Sequence, residues 1–68
     1  MTTPAPSLDL VRQVRAGFTL QGTSLKRWCR ENGIRFNNAR DALIGSWNGP
    51  KGKAVRTRIV RAAKVDAA

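Results

Sequence analysis

The sequence predicts an all-α fold, a compact domain of four short helices around one core. Apolar residues recur every three or four positions in four separate stretches, and no stretch alternates apolar and polar residues as a strand does. Glycine or proline stands between successive stretches. The chain has 68 residues, enough for one small core of marginal stability. Residues 1–6 contain two prolines and are expected to be a disordered lead-in to a single domain at 7–65.

The first helix begins with a favourable cap. Ser7 is a good N-cap, and Asp9 in the first turn suits the positive end of the helix dipole. Two ends are possible, because Gly17 is either a C-terminal stop or lies inside a helix that continues to about Leu20. The apolar face comprises Leu10, Val11, Val14 and Phe18.

The second helix is expected to start at a cap supplied by Thr23 or Ser24 and to run to about Glu31. Asn32-Gly33 ends it, since glycine reaches the left-handed conformation without steric cost. Its apolar arc comprises Leu25, Trp28, Cys29 and Asn32.

The third helix starts from Arg35 or Asn37 as N-cap, with asparagine the better cap by chemistry. It is expected to end at about Gly45 or Ser46. Its buried side comprises Ala39, Ala42 and Leu43, and its other face comprises Asn37, Arg40, Asp41 and Ile44.

The fourth helix is predicted over about residues 50–64, because proline is favoured at a first helical position. Val60 lies near its polar side and has no obvious core partner. Trp47 is expected to cover the space between helices 3 and 4. The core arc of the helix comprises Val55, Ile59, Ala62 and Ala63.

The inventory of reactive side chains argues against an enzyme. Histidine is absent and Cys29 is the single cysteine, so one chain cannot assemble a common zinc ligand set. Four acidic residues are spread too thinly to suggest a catalytic carboxylate pair. No metal, cofactor or small-molecule substrate is therefore expected, and Cys29 is expected to be a core filler.

The charge indicates a polyanionic partner. Thirteen Lys and Arg against four Asp and Glu give a net charge of +9, and the isoelectric point is near 11.7. Residues 26–64 hold eleven of the basic side chains and two acidic ones. Nucleic acid is the commonest partner for such a field. Without a signal sequence or an apolar run of about 18 residues, no membrane association is expected, and a lone cysteine fits a cytoplasmic protein.

Residues 23–44 meet the steric demands of a helix-turn-helix. A small residue, Cys29, lies where the helix axes approach, and Gly33 and Ile34 form the turn and the apolar plug that follows it. Ala39 and Ala42 supply the buried side of the second helix. An ordinary helical hairpin in a basic bundle is the alternative. A helix-turn-helix inserts the N-terminal part of its second helix into the major groove of DNA.

The free face of the third helix carries the groups that read bases. The asparagines would pair with adenine, Arg40 with guanine, and Asp41 would accept from cytosine or support Arg40. One asparagine is expected to cap the helix instead, and Phe36 either packs inward, which is slightly favoured, or contacts a thymine methyl group. The predicted base-reading residues are Arg35, Asn37, Asn38, Arg40 and Asp41.

Phosphate contacts are expected at helix starts. In the loop 47–53, free backbone N–H groups and two lysines make an anion site suited to a DNA phosphate, although a solvated turn is the alternative. The predicted phosphate-binding residues are Thr23, Lys26, Lys51, Gly52, Lys53 and Arg56.

Five short motifs carry a resemblance: Gly22-Thr23-Ser24-Leu25, Asn32-Gly33-Ile34, Ala42-Leu43, Trp47 and Pro50-Lys51-Gly52. Over about residues 22–63 the chain resembles the Ner-like small regulators of transposable phages, which are helical, DNA-binding and lambda-repressor-like in fold. The resemblance implies a phage or prophage transcription regulator that binds operator DNA in the manner of Cro. Extra length at residues 17–21 and the inserted Gly49 depart from that pattern.

The sequence therefore predicts a sequence-specific regulator of transcription that binds double-stranded DNA as a homodimer. Dimerisation is expected because one recognition helix reads only a few base pairs. Val60 and exposed residues of helices 1 or 4 are candidates for the dimer contact. The alternatives are an architectural protein that binds DNA without sequence preference, and a basic adaptor that binds RNA or an acidic host protein.

Overall fold

A computed structural model describes residues 5–65, which form four α-helices and contain no strand. The predicted all-α class is confirmed. Helices α1, α3 and α4 pack on one another, and α2 packs on α1 and α3. Residues 1–4 of the predicted lead-in lie outside the described residues. The helices are α1 (Leu8–Leu20), α2 (Leu25–Glu31), α3 (Phe36–Ile44) and α4 (Pro50–Ala63).

One core joins all four helices, and the predicted apolar arcs supply most of it. Val60 is a correction, because it is buried within the core rather than near a polar face. The reason is that α4 packs against both α1 and α3, which widens its buried arc beyond one stripe. The buried apolar residues are Leu10, Val14, Phe18, Leu25, Cys29, Ala39, Ala42, Leu43, Ile59, Val60 and Ala63.

Serine side chains cap the first two helices. Ser7 Oγ accepts a hydrogen bond from the Leu10 N–H at 3.0 Å, as predicted. Ser24, rather than Thr23, caps α2 by accepting from the Arg27 N–H at 3.1 Å. Each cap satisfies a backbone donor that has no partner inside its helix.

Helix α1 continues to Leu20, which is the longer of the two predicted ends. Gly17 lies inside α1, at the point where α4 crosses it. A Cβ atom at position 17 would collide with the carbonyl oxygen of Ala63. The Gln21 side chain adds a second tie by donating to the Ala62 carbonyl at 2.9 Å.

The turn between α2 and α3 has the predicted chemistry. Gly33 adopts a positive φ of 69°, which is strained for other residues. Ile34 follows it and packs against the core. Trp28 is half-buried rather than enclosed, and its ring lies 6.0 Å from that of Phe18. The turn and the core together determine which face of α3 points outward.

Candidate nucleic-acid interface

Helix α3 exposes the polar face predicted from its sequence. Ala39, Ala42 and Leu43 are fully buried, which orients the helix. Asp41 is half-buried, unlike the other predicted base-reading residues. The remaining four, Arg35, Asn37, Asn38 and Arg40, are all exposed within two turns of one another.

The start of α3 differs from the expectation in two ways. Arg35 is the N-cap and makes no side-chain capping bond, so the preference for Asn37 and the expected asparagine cap are wrong. The first intrahelical bond runs from the Ala39 N–H to the Arg35 carbonyl at 3.0 Å, directly after Ile34 packs on the core. Phe36 is 38% exposed, so the inward packing that was slightly favoured is also wrong. Both asparagine side chains and the Phe36 ring therefore lie on the surface beside Arg35.

The C-terminal end of α3 is held by three other segments. The Asp41 carbonyl accepts from the N–H groups of Gly45 and Trp47, at 3.0 and 3.1 Å. The Leu43 carbonyl accepts from the Ser7 N–H at 3.0 Å. The Ala42 carbonyl accepts from an α4 side chain. These bonds satisfy carbonyls that have no partner within the helix.

That α4 side chain is Arg56, and its prediction as a phosphate contact is contradicted. Arg56 is only 7% exposed, and its Nη1 donates to the Ala42 carbonyl at 3.0 Å and to Asn48 Oδ1 at 3.1 Å. Its Nε is buried and has no hydrogen-bond partner in the described part of the chain, which costs about 1–3 kcal/mol. The negative end of the α3 dipole offsets part of the cost of burying the charge.

A sequence signal for the burial of Arg56 does exist. It lies three residues before Ile59 and four before Val60, and Gly52 precedes it by four, so all four share one stripe of α4. The charge of Arg56 nevertheless predicts an exposed side chain that binds phosphate. No local pattern in the sequence indicates that Asn48 accepts a hydrogen bond from Arg56.

The loop 47–53 divides into a packed part and an exposed part. Gly52 is buried, and a Cβ atom there would collide with the Trp47 carbonyl oxygen. Gly52 is thus a site of close packing, which contradicts its prediction as a phosphate contact. Trp47 is half-buried against it, consistent with the expected cover between α3 and α4. Lys51 and Lys53 remain exposed at the start of α4, with Pro50 at its first position.

Twelve of the thirteen basic residues are exposed, so the positive charge lies at the surface. Among residues 5–65 the ion pairs found are Asp9–Arg12 at 3.9 Å and Glu31–Arg27 at 3.6 Å, both solvent-exposed. Exposed pairs of this kind are weak and screened by salt. Lys26 is exposed in the first turn of α2, whereas Thr23 is half-buried.

Arg58 connects α4 to the end of α2. Its guanidinium lies 5.7 Å from the centre of the Trp28 ring, and its Nη2 donates to Asn32 Oδ1 at 3.3 Å. Asn32 Nδ2 in turn donates to the Trp28 carbonyl at 2.8 Å. A guanidinium over an indole face is favourable, so this exposed arginine supports the turn that leads into α3.

The described part of the chain contains one thiol, that of Cys29, and it is buried. Burial raises the pKa of the Cys29 thiol, so it is protonated at neutral pH and fills the core. Over residues 5–65, no three His, Cys, Asp or Glu side chains come together as metal ligands. None of the four helices has the length and apolar character needed to cross a membrane.

No family model, curated protein or solved structure matches the chain.

Proposed function

We propose that this protein is a sequence-specific regulator of transcription that binds double-stranded DNA as a dimer, in the manner of the Cro- and Ner-type helix-turn-helix repressors. One observation supports the proposal above the others. Helix α3 exposes two amides and a guanidinium on its first half, while its second half is fixed to three other segments. The net charge of +9 supports a polyanionic partner.

In this proposal, the exposed half of α3 enters the major groove. Asn37 and Asn38 are then within reach of adenine edges and Arg40 of a guanine edge, the pairings that these side chains favour. Asp41 is half-buried, which favours support of Arg40 over a direct cytosine contact. Arg35 and the exposed Phe36 flank the entry of the helix, where a phosphate and a thymine methyl group are suitable partners.

Phosphate contacts are assigned to lysines at two helix starts. Lys26 lies in the first turn of α2, and Lys51 and Lys53 lie in the first turn of α4. All three are exposed, and the N-terminal ends of helices carry partial positive charge. Each phosphate that such a residue neutralises contributes about −0.9 to the slope of log affinity against log salt. Arg56 and Gly52 are left out because they are buried.

The dimer contact is assigned to the surface around Leu20 and not to the buried Val60. Leu20 is 89% exposed and lies beside an open apolar groove between the ends of α1 and α4. Among the described residues that line the groove, Lys64 is the single ionisable one, so two chains of charge +9 repel each other less there than through their more basic surfaces. The exposed Leu20 side chain and the groove lie on one surface, as a contact between two copies related by a two-fold axis requires. The groove is lined by Gln13, Ala16, Gly17, Leu20, Ala63, Lys64 and Val65.

Sedimentation of Leu20→Glu beside the wild-type chain tests this contact. We expect the variant to remain monomeric at concentrations where the wild type dimerises. Leu8→Glu, at the other exposed leucine of α1, is the matched control and should not change association. Unchanged dimerisation of Leu20→Glu would show that the dimer contact lies elsewhere on the protein.

Selection of bound duplexes from a random pool tests the function itself. We expect a short motif to emerge, with two-fold symmetry and half-sites about 34 Å apart. A pool that remains random after repeated rounds would contradict sequence-specific reading.

A second candidate is an architectural protein that binds DNA without sequence preference. It is favoured by the spread of the exposed basic residues over all four helices instead of α3 alone. Equal affinity for unrelated duplexes would support it, because its binding depends only on phosphate charge. Stronger competition by RNA than by duplex DNA in the same series would instead support an RNA-binding adaptor.

A further inference from the structure

Arg56 is a buried cation with no carboxylate partner among residues 5–65. The ion pairs found in residues 5–65 use Asp9 and Glu31, and neither involves Arg56. Its guanidinium instead bonds two neutral oxygens, the Ala42 carbonyl and Asn48 Oδ1. One nitrogen, Nη1, donates to both, so these two oxygens are held close together.

The two oxygens belong to the two parts of the proposed DNA interface, which are helix α3 and the loop that leads into α4. Ala42 lies in α3, two residues after Arg40, and Asn48 lies in the loop, three residues before Lys51. The same loop is bonded to α3 through the Trp47 N–H and is packed on Gly52. Arg56 is therefore the side chain that connects the base-reading helix to the lysine-bearing start of α4.

Stability alone does not account for an arginine at this position. Even buried ion pairs, whose charges compensate each other, are often replaced by apolar residues of similar volume without loss of stability, and Arg56 has no compensating charge among residues 5–65. The unpartnered Nε adds to the cost of the arginine. What the planar guanidinium provides, and an apolar side chain does not, is a fixed direction for two hydrogen bonds.

We propose that Arg56 is a positioning residue for DNA reading, which holds α3 and the loop 47–49 in one relative position. The inference rests on the DNA-binding function proposed above. With this tie, Arg40 and Lys51 reach a base and a phosphate at a fixed separation. Without this tie, the lysines still contact phosphates, but α3 is no longer held at a fixed position relative to the bases.

Arg56→Met tests the proposal, with Arg61→Met as its matched control. Methionine keeps most of the volume and removes the two hydrogen bonds. Arg61 lies on the same helix, is exposed, and loses the same charge. For each protein the affinities for a selected duplex and for an unrelated duplex of equal length are measured over a salt series. Hydrogen–deuterium exchange of the Trp47 amide is measured in the free protein.

For Arg56→Met we expect a folded protein whose preference for the selected duplex falls by about tenfold or more. Its salt slope on the unrelated duplex should equal that of the wild type, because Arg56 does not reach a phosphate. The Trp47 amide should exchange faster, since the loop is then held by fewer bonds. Arg61→Met should keep the wild-type preference and the wild-type exchange rate.

Two results would overturn the proposal. One is a preference within about twofold of the wild type in Arg56→Met, the size of effect expected of a substitution that breaks no important interaction. The other is a salt slope reduced by about one with unchanged preference, which would make Arg56 a phosphate contact. A wild-type chain that itself shows no preference would contradict the proposed function instead, and the exchange of the Trp47 amide would then decide whether Arg56 holds the loop.

Asn48 provides a second route if Arg56→Met does not fold. Asn48→Ala removes one acceptor at an exposed residue, and we expect a smaller loss of preference with faster exchange at Trp47. Asn48→Asp keeps an acceptor and places a carboxylate beside the guanidinium, so it should retain the preference. Unchanged exchange and preference in Asn48→Ala would contradict a positioning role.

Discussion

The two halves of α3 are built in opposite ways. The exposed half, Arg35–Arg40, starts without a side-chain cap and presents its polar groups to solvent. The anchored half, Asp41–Gly45, has three of its carbonyls bonded to other segments and two fully buried side chains. A nine-residue helix is marginal by itself, so its position depends on these tertiary contacts.

The difference shows how a small domain can hold an exposed polar face in a fixed position. The contacts that hold α3 in place lie on its buried side or in its anchored half. None of them occupies the face that would meet DNA. Sites held by packed elements keep their geometry better than sites on free loops. Substitutions in the two halves should accordingly separate into effects on stability and effects on binding.

Leu43→Ala should produce the largest effect, in the anchored half. Leu43 is fully buried, and removal of such a side chain costs about 2–5 kcal/mol, which approaches the whole stability of a domain this small. Thermal unfolding followed by circular dichroism measures it. Leu8→Ala is the control, because Leu8 is 60% exposed, lies outside the proposed dimer contact, and should change stability by less than about 0.5 kcal/mol. Equal losses in the two variants would contradict the described core.

Gly52→Ala should come next, in the segment that holds the anchored half. The added Cβ collides with the Trp47 carbonyl, so the loop or α4 must move, at about 1–3 kcal/mol. Gly49→Ala is the matched control, since a Cβ there meets no atom within 4 Å. Denaturant unfolding of both variants compares them. A Gly52→Ala protein as stable as the control would show that the loop is not closely packed.

Arg40→Ala tests the exposed half. Under the proposed function it should weaken binding to a selected duplex by about 1–3 kcal/mol and relax preference at one base position. Stability should hardly change, because the side chain is exposed. Titration of the selected duplex and of single-base variants measures both effects. An equal loss of affinity for every sequence would exclude Arg40 as a base reader.

Lys51→Ala should have the smallest effect, and a uniform one. It should lower affinity for all duplexes alike and reduce the salt slope by about one, the signature of one lost phosphate contact. Arg61→Ala, in the last turn of α4, removes the same charge and serves as the control. A salt slope in Lys51→Ala equal to that of the wild type would show that the loop does not contact a DNA phosphate.

The sequence by itself determined the four helices and most of their boundaries. Periodic apolar residues, Ser7 as a cap, the Asn32-Gly33 turn and Pro50 as a first helical residue act within a few positions of one another, so they are readable locally. The same periodicity predicted the burial of Ala39, Ala42 and Leu43, and with it the outward face of α3. The charge predicted the kind of partner that this face is proposed to meet.

Only the tertiary structure decided which of the polar and boundary residues are internal. Val60 is buried because α4 is covered from two sides. Arg56 shares its stripe, but its charge predicts exposure, and only the acceptors on α3 and at Asn48 allow its burial. Gly52 and Gly17 are placed by close approaches between segments, not by the turns that glycine usually marks. Arg35 begins α3 because Ile34 packs on a core built mostly from other helices. Each of these outcomes depends on contacts between residues distant in the chain, which a local pattern of amino acids does not contain.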